Sequence, residues 1–390
     1  MATQMQAKSQ CPVSHSGEDM RKSAHVAGRG GVASVREAVT DFTAARAILR
    51  NPEASQAGFL ADLARRFSRM KQPILFLSGE EHRRQRKATA RFFAPRVVTG
   101  RYRDLITTET ARLIAQFRRD GAADLDALSL DLAVTVAAEI VGLTESDGLA
   151  MAQRLEAITG GQGTSKWAIM KVLQLFRRQW QVRHFLKNDV QPAIRARRAN
   201  PRDDVISHLI SEGYNDQEVL TECITYGAAG MITTREFITM AGWHMMENEA
   251  LKAHFMTVDD NGKIALLEEI LRVEPVVGTL YRRLPGSDWI HGIDVRAANT
   301  DETVTGACPF AVDADRTISA KYGGAVMAFG DGEHRCPGAQ VAMHETAIFL
   351  EALFAVPGLR LVRAPTVGWN PLITGYELRG AALICDSDAA

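Results

Sequence analysis

A cysteine near the C-terminus lies in a loop whose composition suits a metal-binding thiolate. The segment Phe329–Gly338 reads FGDGEHRCPG, and His334 and Arg335 come just before Cys336. Its glycines permit positive φ and a close approach of the backbone to a flat partner. Helical periodicity begins at Ala339, so the loop opens a helix, where backbone N–H groups and cations favour the ionised thiol. Such a thiolate can be a nucleophile, a redox sensor or an axial ligand of haem iron.

A second element of interest is a long predicted helix with a centre made of small residues. Asn215 and Glu218 predict a capping box at its start, and the helical pattern continues to Asn248. The middle, residues 227–234, reads GAAGMITT. Each glycine inside a helix costs about 1 kcal/mol relative to alanine. Either a flat cofactor or a neighbouring helix pressed against these positions would offset that cost.

Charged residues elsewhere could bind a cofactor or support the fold. Glu269 and Arg272 lie one turn apart on a helix that ends at Pro275, and Glu268 could pair with Arg272 equally well. The stretch from 82 to 86 reads HRRQR. Such multi-donor cations are what the carboxylates of a cofactor require.

The elements that position these residues are mostly helical. Apolar residues recur at helical spacing from about 34 to 275, and the pattern then shortens into possible strands at 279–282, 288–296, 359–363 and 376–385. This predicts a mainly α body with a small β lobe. Residues 1–30 are polar and without period, so we predict a disordered tail, followed by one catalytic domain over 31–390.

The cysteine loop resembles the haem-binding loop of the cytochrome P450 family. Its fixed positions are matched by Phe329, Gly330, Gly332, His334, Cys336 and Gly338. The resemblance covers residues 35 to 385 or so and implies the triangular, mainly α P450 fold with a small β subdomain. Haem b would lie between the long distal helix and the helix after the cysteine, with Cys336 as the iron ligand. The rival thiol, Cys308, has neither the glycines nor the following helix.

The resemblance also assigns roles along the long distal helix. The catalytic pattern of the family is matched by Ala229, Gly230, Thr233 and Thr234. The acidic residue that helps deliver protons in the family is replaced by Ile232. Glu236 lies three residues after Thr233 and could reach back toward it, although exposure to solvent or pairing with another charge is the simpler expectation.

Further roles follow from the same resemblance. The implied haem-propionate ligands are His82, Arg86, Arg282, with Arg283 as its alternative, and His334. Glu269, Arg272 and Arg316 match the structural ion-pair group beneath the haem. The residues placed by position in a largely apolar substrate pocket are Phe76, Ile232, Val277, Thr279 and Ile373. Between Leu284 and Asn299 the chain is shorter than the family pattern, which predicts a trimmed sheet.

The implied activity is a monooxygenase that inserts one oxygen atom of O2 into a small, largely apolar organic substrate. NAD(P)H-derived electrons would arrive through a ferredoxin-type iron–sulfur protein or a flavodoxin with its reductase. Because Ile232 replaces the acid, oxidative coupling or ring closure without oxygen insertion is the alternative. A haem sensor would need a partner domain, and a peroxide-using relative would carry Arg-Pro where this chain has Ile232-Thr233.

Composition excludes several other classes of protein. The 390 residues are 46% hydrophobic and carry 46 basic and 46 acidic side chains, so no charge excess points to nucleic acid. The sequence has no run of 18 apolar residues and no apolar signal-peptide centre at its N-terminus. Five cysteines without a CxxC pair indicate reduced thiols. We therefore expect a cytoplasmic monomer that binds neither nucleic acid nor membrane.

Overall fold

The computed structural model describes residues 21–26, 35–58, 72–159, 168–371 and 373–387. None of the helices in these ranges is long and apolar enough to cross a membrane. The α-helices are α1 Phe42–Arg50, α2 Gly79–Thr89, α3 Pro95–Val97, α4 Arg103–Asp120, α5 Leu125–Val141, α6 Gly148–Thr159, α7 Ala168–Phe185, α8 Gln191–Ala199, α9 Val205–Ser211, α10 Asp216–Gly227, α11 Thr233–Glu247, α12 Glu249–Thr257, α13 Asp260–Val273, α14 Val295–Asn299, α15 Glu302–Thr305 and α16 Ala339–Phe354. The predicted mainly α fold is confirmed.

Shorter helical segments connect or interrupt these helices. The 3₁₀ turns are Ala24–Val26, Ile74–Phe76, Ala90–Phe93 and Gly332–His334, and the π-helical segments are Val98–Tyr102, Leu186–Val190 and Ala228–Ile232. The last π segment joins α10 to α11 without a break, and we call α10, this segment and α11 together the distal helix.

Nine short strands within the described ranges form the small β part. They are β1 Val35–Val39, β2 Ser55–Gln56, β3 Ala122–Asp124, β4 Thr279–Arg283, β5 Ile290–Asp294, β6 Arg360–Arg363, β7 Thr366–Asn370, β8 Gly375–Arg379 and β9 Ala382–Ile384. One sheet has the order β1-β5-β4-β2, with β1 parallel to β5 and the other pairs antiparallel. A second has the order β3-β9-β6, and β7 pairs with β8 as a two-stranded ribbon.

The strand predictions need three corrections. The predicted strand over 376–385 is two strands, β8 and β9, and the strands β1, β2, β3 and β7 were not predicted. The predicted strand over 288–296 is shorter, because Asp294 caps helix α14 by accepting from the backbone N–H of Ala297. Only a short loop joins β4 to β5.

Four helices, α4, α5, α11 and α16, pack against one another at the centre of the molecule. The apolar positions that define the predicted face of α4, Ile106, Leu113 and Phe117, are all buried. Burial of such faces is the main stabilising contribution to a helical body. A Cβ at Gly242 of α11 would lie 2.9 Å from Leu125 Cδ2, so a glycine permits the close approach of α5.

Part of the predicted disordered tail is ordered, which corrects the prediction for residues 21–26. Ser23 and Val26 are completely buried. The backbone N–H of Lys22 donates to Glu274 Oε1 at 2.7 Å, and the Ser23 hydroxyl donates to Oε2 at 2.5 Å. The rest of the predicted tail lies outside the described residues. A buried carboxylate far along the chain therefore fixes this segment.

Candidate active site

The centre of the distal helix is wound as a π-helix. The predicted capping box is present, because Asn215 accepts from the N–H of Glu218 while the Glu218 side chain accepts from the N–H of Asn215. After the 12 residues of α10 the backbone widens at Ala228–Ile232, and the Thr233 hydroxyl donates to the Ala229 carbonyl at 2.6 Å. Single-turn π segments inside helices are frequent at functional sites. Here the segment contains Ala229 and Gly230 and ends directly before Thr233 and Thr234.

Neighbouring helices explain the two glycines of this centre. A Cβ at Gly227 would lie 3.0 Å from Leu155 Cδ2 of α6, and a Cβ at Gly230 would lie 3.2 Å from the Cβ of Ala137 in α5. Helix packing is therefore the interpretation that the structure supports for both positions. Ala229, between them, is the exposed residue of the segment.

The residues around the missing acid are mostly buried. Thr233 is half-buried and Thr234 is buried. Ile232 is 2% exposed and belongs to the main hydrophobic cluster, and its place in the substrate pocket stays a prediction.

Glu236 does not reach back to Thr233. It is fully buried, and its Oε2 accepts from the backbone N–H of Leu378 at 2.6 Å. Its Oε1 accepts from Arg235 and from Arg379 Nη1 at 2.8 Å. Burial raises the pKa of Glu236, while the two arginines and the Leu378 bond oppose that rise. The expectation of solvent exposure is wrong, and pairing with other charges is confirmed.

The cysteine loop, Phe329–Gly338, is held in place by both its backbone and its acidic residue. The Cys336 N–H donates to the Phe329 carbonyl at 2.8 Å. Gly330 and Gly332 have φ of 70° and 68°, and a Cβ at Gly332 would lie 2.4 Å from the Leu49 carbonyl oxygen. Asp331 accepts from Arg46 Nε at 2.9 Å and Arg50 Nε at 2.8 Å. The loop is thus fixed against helix α1.

The electrostatics at Cys336 differ from the sequence expectation. Burial raises the pKa of the thiol, although backbone N–H groups of Gly338 and Ala339 and the charges of Arg86 and Arg335 lower it. The net direction is upward, so the loop alone does not ionise the cysteine. The N–H groups and arginines are nevertheless the partners that a bound thiolate requires.

Four cationic or potentially cationic side chains meet beside the cysteine loop, and we call them the cation cluster. They are His82 and Arg86 from α2, Arg282 from β4 and His334 from the loop. The rings of His82 and His334 stack with centroids 4.0 Å apart. Arg86 donates to the Arg335 carbonyl, and Arg282 donates to Gln56 and to the carbonyl of Tyr281.

The cation cluster contains no carboxylate of its own. Burial alone lowers the pKa of Arg282 to about 10. Burial, followed by the charges of His82 and Arg282, lowers the pKa of His334 to about 3. Glu333 is the nearby acid, with its Oε2 4.0 Å from His82 Nδ1. Buried Arg282 and the unpartnered Nδ1 of His82 therefore fit an anionic cofactor.

Arg283, the alternative to Arg282, points elsewhere. Its Nη1 donates to the Asp288 carbonyl at 3.0 Å on the surface of the loop that follows β4. The rival Cys308 has φ of 53°, and its carbonyl accepts from Arg316 Nη2 at 2.9 Å. Both residues lie apart from the cation cluster.

A buried ion-pair group supports the segment before the cysteine loop. Arg272 Nε donates to Glu269 Oε2 at 2.7 Å, and Arg316 Nε donates to Glu269 Oε1 at 2.7 Å. Arg272 also donates to the carbonyls of Asn299 and Pro309. Glu268 does not pair with Arg272; its neighbours are Gly324 and Arg335. This group fixes the chain on both sides of α14 and α15.

Two of the predicted pocket segments meet in the structure. Val277 pairs with Gly375 in an isolated β-bridge, and the Thr374 hydroxyl donates to the Thr279 carbonyl at 2.8 Å. This joins the segment carrying Val277 and Thr279 to the turn that carries Ile373, which is buried in the main cluster. Phe76 is half-buried in the turn Ile74–Phe76 before α2.

Sequence reasoning missed two buried residues near this site. Glu222 of α10 joins the turn Ile74–Phe76 to Gln85 of α2. The available signal was a lone acid within an apolar stretch of helix, but its partner at Ile74 lies 148 residues away. Arg296 is 4% exposed, and its Nη1 occupies the position where Gly278 would carry a Cβ.

Comparison with known proteins places these features in a wider context. No family model matches the chain. Cyclomarin C epoxidase CymV of Salinispora arenicola is 29% identical over 294 residues, which are 70% of this chain and 70% of that protein. Cytochrome P450(MEG) of Priestia megaterium is 24% identical over 309 residues, 72% of each chain. A crystal structure of P450BioI with hexadec-9Z-enoic acid ligated acyl carrier protein has a TM-score of 0.71 at 21% identity, covering 89% of this chain and 92% of that chain.

Proposed function

Because this chain belongs to the cytochrome P450 family and is an oxidoreductase, we propose that it is a haem-thiolate monooxygenase with Cys336 as the iron ligand. Haem b supplies the iron at which O2 is activated, and the oxygen is inserted into a small organic substrate. The epoxidase among its relatives supports oxygen insertion.

The observation that carries this proposal is the cation cluster beside the cysteine loop. A buried arginine without a carboxylate partner is costly, and an anionic cofactor offsets that cost. His82, Arg86, Arg282 and His334 would hold the two propionates, while the cysteine loop presents Cys336 to the iron. The cation cluster thus accounts for the propionates of the cofactor, and the neighbouring cysteine loop accounts for its iron.

The distal helix supplies the remaining groups. Thr233 lies at the end of the π segment, where its hydroxyl can hold a water molecule after it leaves the Ala229 carbonyl. Ala229, exposed beside it, leaves room for a ligand. The apolar side chains of Phe76, Val277 and Ile373 favour an apolar substrate.

Electrons come from a separate redox protein, for which we propose a ferredoxin-type iron–sulfur protein or a flavodoxin. Arg84 and Lys87 are exposed on α2, on the helix that also carries the propionate ligands. Arg83 pairs with Glu333 at 2.9 Å. A positive rim of this kind accelerates association with an acidic partner through electrostatic steering.

Carbon monoxide binding tests the iron ligand. Cys336→His is expected to abolish the red-shifted band of the ferrous–carbon monoxide complex, because that band depends on thiolate ligation. Cys308→Ser is the matched control and is expected to retain the band. Loss of the band in the Cys308 variant, with retention in the Cys336 variant, would overturn the assignment.

Oxidative coupling or ring closure is the second candidate function. It is favoured by one observation, namely that no free carboxylate among the described residues stands next to Thr233. Ile232 is apolar and buried, and Glu236 is bonded through both oxygens. Coupling demands less proton delivery than oxygen insertion does.

A further inference from the structure

A buried carboxylate on the distal helix connects three segments of the site. Glu222 is 1% exposed. Its Oε1 accepts from the backbone N–H of Ile74 at 3.0 Å and from Gln85 Nε2 at 3.1 Å. Gln85 Nε2 also donates to the Tyr214 hydroxyl at 2.8 Å. One carboxylate oxygen therefore joins the turn Ile74–Phe76, helix α2 and helix α10.

The second oxygen of Glu222 is buried and has no hydrogen-bond partner within the described part of the chain. The titratable groups that face it are neutral near pH 7: Tyr214 before α10, and Cys223 and Tyr226 on α10 itself. From α2 the facing group is the amide of Gln85. Among the described residues no cation compensates the charge, so burial raises the pKa of Glu222 to about 7, against the Ile74 and Gln85 bonds.

The turn that Glu222 holds spans the distance between the distal helix and the cysteine loop. At its far end, the backbone of Leu77 is hydrogen-bonded to His334. Leu75 is 47% exposed and Phe76 is half-buried between these two anchors. At the near end, the hydrogen bond from the Ile74 N–H to Glu222 joins the turn to the distal helix.

We propose that Glu222 is a positioning residue that holds the turn Ile74–Phe76 against the distal helix. By doing so it sets how fast molecules enter and leave the space between the distal helix and the proposed haem. The role in entry rests on the proposed haem site, because Leu77, directly after the turn, is hydrogen-bonded to the proposed propionate ligand His334. The fastening of the turn itself does not depend on haem.

The fastening depends on pH. Burial raises the pKa of Glu222 to about 7, so the closed arrangement holds a proton that a carboxyl reached by water would release. A carboxyl with a raised pKa stabilises the closed arrangement at low pH and loses that contribution as pH rises through about 7. Entry and exit are therefore faster on the alkaline side of neutrality.

Binding of 4-phenylimidazole to the haem protein measures entry and exit directly through the shift of the Soret band. In the unmodified protein, after correction for protonation of the free imidazole, the association and dissociation rates are expected to rise by up to about tenfold between pH 6 and pH 8, because the pKa of Glu222 falls from about 7 toward its ordinary value on opening. Glu222→Gln keeps the shape and a neutral acceptor, so its rates should be slow and nearly independent of pH. The same pH dependence in Glu222→Gln as in the unmodified protein would overturn the proposal.

Glu345→Gln is the matched control. Glu345 of α16 is also buried, with an unpartnered oxygen and a pKa raised to about 8 by burial, but it contacts neither the turn nor α2. Its variant is expected to keep the pH dependence with a midpoint near 7. Loss of the dependence in Glu345→Gln alone would assign the titration to that residue and refute the role of Glu222.

Hydrogen exchange of the peptide around Ile74–Leu77 provides a readout that does not require haem. After correction for the intrinsic pH dependence of exchange, the Ile74 amide should be better protected at pH 6 than at pH 8, and Glu222→Gln should remove the difference. If the carbon monoxide band were absent while the pH-dependent protection of Ile74 persisted, the haem proposal would be wrong, but Glu222 would still hold the turn. Equal protection in both variants at both pH values would reject the fastening itself.

Discussion

Arg282 is expected to destabilise the haem-free protein and to stabilise the protein once the cofactor is bound. In the folded chain it is 4% exposed, and burial alone lowers its pKa to about 10. Arg282→Leu should therefore leave the haem-free protein as stable as before, or more stable. The same change should weaken haem retention by roughly 1.5–3 kcal/mol, the contribution of a hydrogen bond to a charged group.

Thermal unfolding of the haem-free protein and haem transfer to apomyoglobin measure these two effects separately. Arg283→Leu is the control on the same strand, because Arg283 faces the loop after β4. Equal losses of haem retention in the two variants would show that Arg282 has no special contact with the cofactor.

Thr233 separates the two candidate reactions. Thr233→Ala removes the hydroxyl that donates to Ala229, and proton delivery by a positioned group typically contributes 10²–10⁴-fold. For oxygen insertion, we expect less product per NAD(P)H and more hydrogen peroxide. Ile232→Glu is not expected to restore proton delivery, because position 232 lies in the hydrophobic core. Full product yield without extra peroxide in Thr233→Ala would favour coupling or ring closure.

At the scale of elements, glycines fix how closely the central helices approach. Gly242→Ala would place a Cβ 2.9 Å from Leu125 and 3.2 Å from Leu350, both in the core. Overpacking of this kind costs roughly 1–3 kcal/mol, which exceeds the gain of about 1 kcal/mol from helix propensity. The free energy of unfolding in denaturant should therefore fall.

Gly100 offers the matched control for this effect. It lies in the π segment Val98–Tyr102, where nothing lies within 4 Å of an added Cβ. Gly100→Ala should leave stability unchanged or raise it by up to about 1 kcal/mol. If both variants lost equal stability, the tight contact at Gly242 would not be the cause.

Elements with local signals could be predicted from the sequence, and those fixed by distant partners could not. The capping box at Asn215 and Glu218 involves residues three apart, so its chemistry is visible in the sequence. The cysteine loop is equally local. By contrast, Glu274 lies 251 residues from Ser23, and nothing near Ser23 indicates that the segment is ordered. The two glycines of the distal helix were ambiguous because the sequence does not show which helix packs against them.

At the scale of the whole molecule, Glu274 holds the N-terminal segment against the body. Burial raises its pKa, but bonds from His244 and Ser23 and the charge of Arg21 outweigh this, so its pKa is lowered. A carboxyl with a depressed folded-state pKa contributes stability above its unfolded pKa and loses it as pH falls through the folded value. Deleting residues 2–24 removes the donors from Lys22 and Ser23. The acid-unfolding midpoint should then move to higher pH.

Circular dichroism during acid titration measures that midpoint. A variant lacking only residues 2–20 retains every described contact to Glu274 and serves as the control. Identical midpoints for the two deletions would mean that the segment 21–26 does not stabilise the fold through Glu274.

The cation cluster also links the lifetime of this protein to the supply of its cofactor. A chain that folds before it acquires haem keeps the charge of Arg282 buried without a carboxylate partner beside the cysteine loop, and so opens more often. Proteases and chaperones act on such open forms, and a stability difference of 1–2 kcal/mol can change abundance several-fold. When iron or porphyrin is scarce, empty chains would be removed first, and the amount of protein in the cell would follow haem synthesis without any dedicated regulator.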